Sequence, residues 1–175
     1  MASSPRPLAP ADVEARLRAR FGDDVRSFED RHGHAVATVL RDRYRDVVAF
    51  LRDDPDLACD FCDFTAGVDL QERGIEVVTH LYSTTHRHNV RVKVPLPPDD
   101  PVCPTISDLF PTANWHEREA MEMFGIRFEG HPQPVKLLLP EPFEGHPLRK
   151  DFVLMTREAK PWPGAVEGEE EEEEE

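Results

Sequence analysis

Long apolar runs, cysteine and clustered basic residues are what this 175-residue sequence has least of. No stretch approaches the ~20 apolar residues that a helix needs to cross a bilayer, so membrane association is expected only through partners. The opening MASSPRPLAP contains no apolar segment that would serve as a secretory signal, and the expectation is a cytoplasmic protein. Its three cysteines, an odd number, then read as reduced thiols. They are also too few and too scattered to supply the four thiolates that iron–sulfur clusters usually take. Without a basic stripe to replace phosphate counterions, nucleic acid is excluded as a partner. The chain has no G-x-G-x-x-G, no P-loop and no G-x-S-x-G, so nothing in it cradles a nucleotide or activates a serine.

Acidic residues, by contrast, are abundant, and their placement matters more than their number. Of the formal charge of −14, Glu167 and Glu169 to Glu175 contribute −8, which leaves only −6 for everything before them. Such a run repels itself and buries no apolar surface, so residues 165–175 are expected to be a disordered acidic tail. Residues 1–10 read as a flexible N-terminus and 11–129 as an α/β body large enough for an ordinary core. Residues 130–164 are rich in proline and glycine and follow or hold two copies of FEGHP, ending at Pro132 and Pro147. They read as an extended arm made to lie on another protein, with Leu137, Leu138, Leu139, Phe143, Leu148, Phe152 and Leu154 as its apolar contacts.

Within the body, Val13, Leu17 and Phe21 recur at helical spacing before Gly22, which predicts a helix over residues 11–21. Residues 34–40 read as a strand. Asp42 is placed to cap a second helix whose stripe is Tyr44, Val47, Val48 and Leu51, stopped by Pro55. Residues 57–68, 75–82 and 89–94 read as strands between polar turns. LPPDDP interrupts regular structure, and residues 112–124 form a last helix ended by Gly125. The order α-β-α-β-β-β-α with short strand connections predicts an α+β two-layer sandwich with a largely antiparallel sheet.

Three constellations are candidates for chemistry. On the last helix Glu117 falls among Ala113, Ala120, Met121 and Phe124, while Arg118 and Glu122 point away. A carboxylate in an apolar stripe must be paired or protonated, so Glu117 is either a catalytic acid or half of an ion pair pinning the arm. Arg127, Lys136, Arg149 and Lys150 are the candidate partners. Cys59 and Cys62 form a C-x-x-C, but in a strand i and i+3 face opposite ways, which favours core thiols over a metal or redox pair. His86 and His88 share a strand face near His80 and define a rival reading, a free-standing metal-dependent enzyme. His131 and His146, each between glycine and proline in FEGHP, read as hydrogen-bonding anchors.

The phrase EREAMEMFGI, followed by FEGHP, LLLP and GHPLRKDF, resembles the signature of the 30-kDa-type subunit family of proton-pumping NADH–quinone oxidoreductase, respiratory complex I. The match spans residues 57–154 and is strongest from Trp115 onward. Glu122 stands where the family commonly has aspartate, QPVKLLLP replaces an arginine-rich segment, and Val153 replaces a frequent proline. The resemblance implies a subunit with no catalytic, cofactor or metal residues of its own. It implies a peripheral position on the cytoplasmic face of the membrane, bracing the large quinone-site (49-kDa-type) subunit. Iron–sulfur clusters, flavin and quinone would lie in partner subunits. The implied interface residues are Glu117, Arg118, Glu119, Glu122, Phe124, Gly125, His131, Lys136, His146, Arg149, Lys150 and Asp151. A homologous subunit of a membrane-bound hydrogenase or of a ferredoxin-fed quinone oxidoreductase is the nearest alternative.

Overall fold

Strands β4 (Ile75–Tyr82) and β5 (Asn89–Leu96) pair antiparallel from Ile75 opposite Leu96 to Tyr82 opposite Asn89, and they form the spine of the protein. Their alternate residues Ile75, Val77, Leu81, Val90, Val92, Val94 and Leu96 are all buried, as the two-residue period requires of a sheet covered on one face. The computed structural model describes residues 7–153, so the tail at 165–175, the end of the arm and residues 1–6 lie outside the described residues. Around the spine lie β1 (Val25–Arg31), β2 (His34–Val39) and β3 (Phe61–Asp69), giving the order β1-β2-β5-β4-β3. Within this sheet only β2 and β5 run parallel.

Helices α1 (Pro10–Phe21), α2 (Tyr44–Asp53) and α3 (Ala113–Phe124) bury Val13 and Leu17, then Tyr44, Val47, Val48 and Leu51, then Ala113 and Ala120. These residues join the inward strand residues in one core, the two-layer α+β sandwich expected from the pattern. Inside it the Tyr44 hydroxyl meets Thr79 Oγ1 at 2.7 Å, and Thr79 meets Thr65 at 3.2 Å, so these buried polar groups satisfy one another.

Several elements differ from expectation. β1 carries little alternation because it is an edge strand, mostly exposed. A parallel pair of three-residue strands, β6 (Val102–Pro104) and β7 (Arg127–Glu129), is too short to leave a period and brackets α3 on both sides. Asp42 sits in a short 3-10 turn and does not cap α2, whose N-cap position is Arg43. β3 begins at Phe61 because residues 54–58 form a turn, held by the Asp54 carboxylate accepting the N–H groups of Asp56 and Leu57.

α3 approaches β3 closely. A Cβ on Gly67 would stand 2.5 Å from the Phe124 ring, so only glycine lets the helix sit there. Tyr44→Phe removes one satisfied hydroxyl and is expected to cost about 1 kcal/mol. Leu81→Ala opens a cavity in the spine and is expected to cost about 2–5 kcal/mol. Urea unfolding of both variants checks this ranking, and a larger loss from Tyr44→Phe would show that the polar cluster, not apolar packing, dominates the core.

Candidate interface built on helix α3

Each side of α3 carries a buried carboxylate. On the sheet side Glu117 is fully buried, as its place between Ala113 and Ala120 requires. One of its oxygens accepts the Ile106 N–H at 2.7 Å and the other meets the Thr105 hydroxyl. The His131 ring lies at 3.8 Å. The expected ion pair with Arg127, Lys136, Arg149 or Lys150 is therefore corrected. The loop before α3 approaches with neutral donors, and none of those four cations reaches the carboxylate. Burial, against the opposing Ile106 and Thr105 bonds, pushes the Glu117 pKa up to about 7. Thr105 Oγ1 also lies 2.8 Å from Ser107 Oγ, and with its own proton turned there it is able to accept from a protonated Glu117. Glu117 has no exposed surface, and both its oxygens are engaged.

The far side of α3 differs from its helical-wheel reading. The wheel puts Glu122 in solvent, yet it is only 4% exposed. Its carboxylate accepts three successive backbone N–H groups, from Leu137, Leu138 and Leu139, at 3.2, 2.8 and 3.0 Å. Bonds to an ionised acceptor are the strong kind, and three converging N–H groups form an anion-binding concavity. Arg118 donates to the carbonyls of Val135 and Lys136 at 2.8 and 3.0 Å. A wheel shows one helix alone; it does not show a strap laid over the outer face.

The strap continues along α3 to its end. The Glu122 carbonyl is 2.9 Å from His146 Nδ1, and the Met123 carbonyl accepts the Leu148 N–H at 3.2 Å. Arg149 Nε donates to the Phe124 carbonyl at 2.6 Å. These are the last-turn carbonyls that a helix leaves without internal partners. Gly125, at φ 74°, closes the helix, and a Cβ there would stand 2.6 Å from His146 Nε2. The Lys136 ammonium gathers the carbonyls of Pro140, Glu141 and Phe143. Asp69 accepts the Lys150 N–H at 2.7 Å, a tie from the strap to β3 that no sequence pattern marks. That bond and a second from the Gln71 N–H hold the Asp69 pKa below the ordinary carboxylate range. His131 Nε2 meets the Asn114 carbonyl at 3.1 Å, at the start of the helix. Residues 135–150 find many of their backbone partners on α3 itself.

Of the twelve residues implied as interface, all but Glu119 and Asp151 make such contacts or, like Phe124 and Gly125, allow close packing. Asp151 is exposed, and neither it nor Glu119 ties the strap to the helix. Trp115, outside that set, is 67% exposed, and Leu138 and Leu148 beside the helix are 61 and 51% exposed.

The other candidate groups are scattered. Cys59 and Cys62 are buried free thiols, raised by burial to about 12 and about 11, and too weakly acidic to be nucleophiles at neutral pH. His86 lies 2.9 Å from the Pro55 carbonyl, His88 is buried beside Cys59, and His80 bonds Asn89. Among the described residues no three His, Cys, Asp or Glu side chains are grouped to hold a metal ion.

The raised Glu117 pKa has a testable sign. Between about 4.5 and about 7 the folded chain keeps a proton that the unfolded chain has lost, so this contribution to stability is present below about 4.5 and is lost as pH rises through about 7. Glu117→Gln does not titrate. Its stability relative to the parent should rise by on the order of 3 kcal/mol from pH 4.5 to pH 8, measured by urea unfolding across pH. A difference independent of pH would show that folding leaves the Glu117 pKa unshifted.

A respiratory-chain NADH dehydrogenase 30 Kd subunit family profile matches residues 37–158. The C-type subunit of the NADH-quinone oxidoreductase of Roseiflexus sp. (strain RS-1) is 43% identical over 150 residues, covering 85% of this chain and 86% of its own length. A C-type NADH-quinone oxidoreductase subunit of Rhizobium etli (strain CIAT 652) is 39% identical over 163 residues, covering 92% of this chain and 87% of its own. Among solved structures, the trypsin-resistant fragment (1-134) of Nqo5 superposes with a TM-score of 0.60 at 28% identity, covering 70% of this chain and 97% of the fragment. A chain of an archaeal membrane-bound sulfane sulfur reductase, at 24% identity and a TM-score of 0.64 over 83% of this chain and 85% of its own, shares the fold. With the α3 phrase, the FEGHP strap and most of the mixed sheet inside the matched region, this chain belongs to the respiratory-chain NADH dehydrogenase 30 Kd subunit family.

Proposed function

We propose that this chain is a non-catalytic subunit of a proton-pumping NADH–quinone oxidoreductase, bracing the large quinone-site subunit from the cytoplasmic face of the membrane. The redox groups of that assembly, iron–sulfur clusters, flavin and quinone, belong to partner subunits. The reading is carried by one observation. α3 and its strap satisfy many of their own backbone groups yet leave Trp115, Leu138 and Leu148 in water along one helix. A stable element that displays large apolar side chains is built to be covered. No described helix is long and apolar enough to cross a membrane, and in this reading attachment to the membrane comes through the covering partner. The 43% identity to an NADH-quinone oxidoreductase subunit supports an NADH-fed parent complex over a hydrogenase-type one.

Replacing Trp115 and Leu138 together by serine removes exposed apolar surface and leaves the backbone ties of the strap in place. The isolated variant should unfold within about 0.5 kcal/mol of the parent, as surface changes do. In cells it should be lost from complexes isolated through another subunit. The purified parent chain should be colourless and unable to oxidise NADH. Full incorporation of the variant, or NADH oxidation by the chain alone, would contradict this function.

A further inference from the structure

The sheet face turned away from the helices carries a second cluster that the α3 site does not use. By strand register Val36, Arg91, His80 and Phe64 lie side by side across β2, β5, β4 and β3. His80 stacks on Phe64, ring centroids 5.5 Å apart, and His34 lies 6.1 Å from His80. Tyr82 and Phe61 face each other in the neighbouring pair of β4 and β3, and Phe61 is 50% exposed.

The charges on this face are unequal in one respect. Lys93 is paired with Glu76 at 3.1 Å and Arg31 with Glu29 at 2.6 Å. Among the described residues Arg91 makes no ion pair, and its Nε is buried without a hydrogen-bond partner, as are Nδ1 of His34 and of His80. His80 is 8% exposed; burial, reinforced by Arg91 and opposed by the Asn89 bond, lowers its pKa, which keeps it neutral at pH 7. Arg91 thus carries a full charge with no ion-pair partner among the described residues, on a face edged by Phe61, Phe64 and Tyr82, where Asp63, also in no ion pair, is near enough to act on His80. A partly desolvated guanidinium without an anion is costly, and arginine among aromatic side chains is the composition of an interface anchor. A phosphate or lipid headgroup draws on several converging cations, whereas the neighbouring cations here are already paired. A single unpaired guanidinium among paired charges and aromatic side chains fits one carboxylate.

We propose that this open sheet face is a second docking surface, where an aspartate or glutamate of a neighbouring protein subunit pairs with Arg91 while Phe61, Phe64 and Tyr82 pack around it. The proposal rests on the reading of the chain as a subunit of a larger complex, and adds a contact on the side of the sheet away from α3. In the assembled complex, phenylglyoxal should modify Arg91 about tenfold more slowly than in the free chain, the factor for a contact worth ~1.4 kcal/mol. In complexes carrying Arg91→Lys, carbodiimide should join the new amine to a carboxylate of a different subunit, read by mass spectrometry. Equal phenylglyoxal rates in the two states would overturn the proposal. So would crosslinks confined to this chain's own Asp63 or to a second copy, or equal protection of the free chain by phosphatidylglycerol vesicles. A complex lacking this chain overturns the proposed function as well, whereas one holding the chain with Arg91 uncovered overturns this inference alone.

Discussion

Capture of three successive strap N–H groups by the Glu122 carboxylate is the interaction on which the rest of the α3 site depends. Residues 135–150 lack strand or helix periodicity and contain three prolines, at 140, 142 and 147, so they cannot close a ladder of their own. An acceptor with two oxygens and a full charge satisfies several donors at once. Once that point is fixed, Arg118 on one side and the free last-turn carbonyls of α3 on the other lie within reach of the remaining strap groups.

The two carboxylates of α3 solve different problems. Glu117 holds the helix to the loop before it, through the Ile106 N–H and the Thr105 hydroxyl, with burial favouring its neutral form. Glu122 holds the strap to the helix as an acceptor of backbone donors. The close approach of α3 to β3, which requires Gly67, gives both a rigid base. The result is an element that is tied together through its backbone and apolar on its outside, the combination a subunit contact requires.

Much of this is legible in the residues, for identifiable reasons. Helix α2 and strands β4 and β5 follow one period each over eight or more residues, and each buries the face that period marks. Edge strand β1 and the three-residue pair β6 and β7 leave no such trace. Spacing alone puts Glu117 on the buried side, but its partners come from a loop with neutral donors, which no charge pattern announces. Spacing misplaces Glu122 because it does not register a chain that returns fifteen residues later. The histidines at 80, 86 and 88 share a stretch of sequence, but their ring nitrogens have separate neighbours.

The strap packs on its own helix through groups of this chain alone, so it should form before any partner arrives. Hydrogen exchange of the isolated chain tests it at the amides of Leu137, Leu138 and Leu139. These amides should be protected in the free parent chain and lose that protection in Glu122→Ala while β4 and β5 stay protected. Exchange of all three at the unfolded rate in the free parent chain, with protection gained only in the assembled complex, would contradict it.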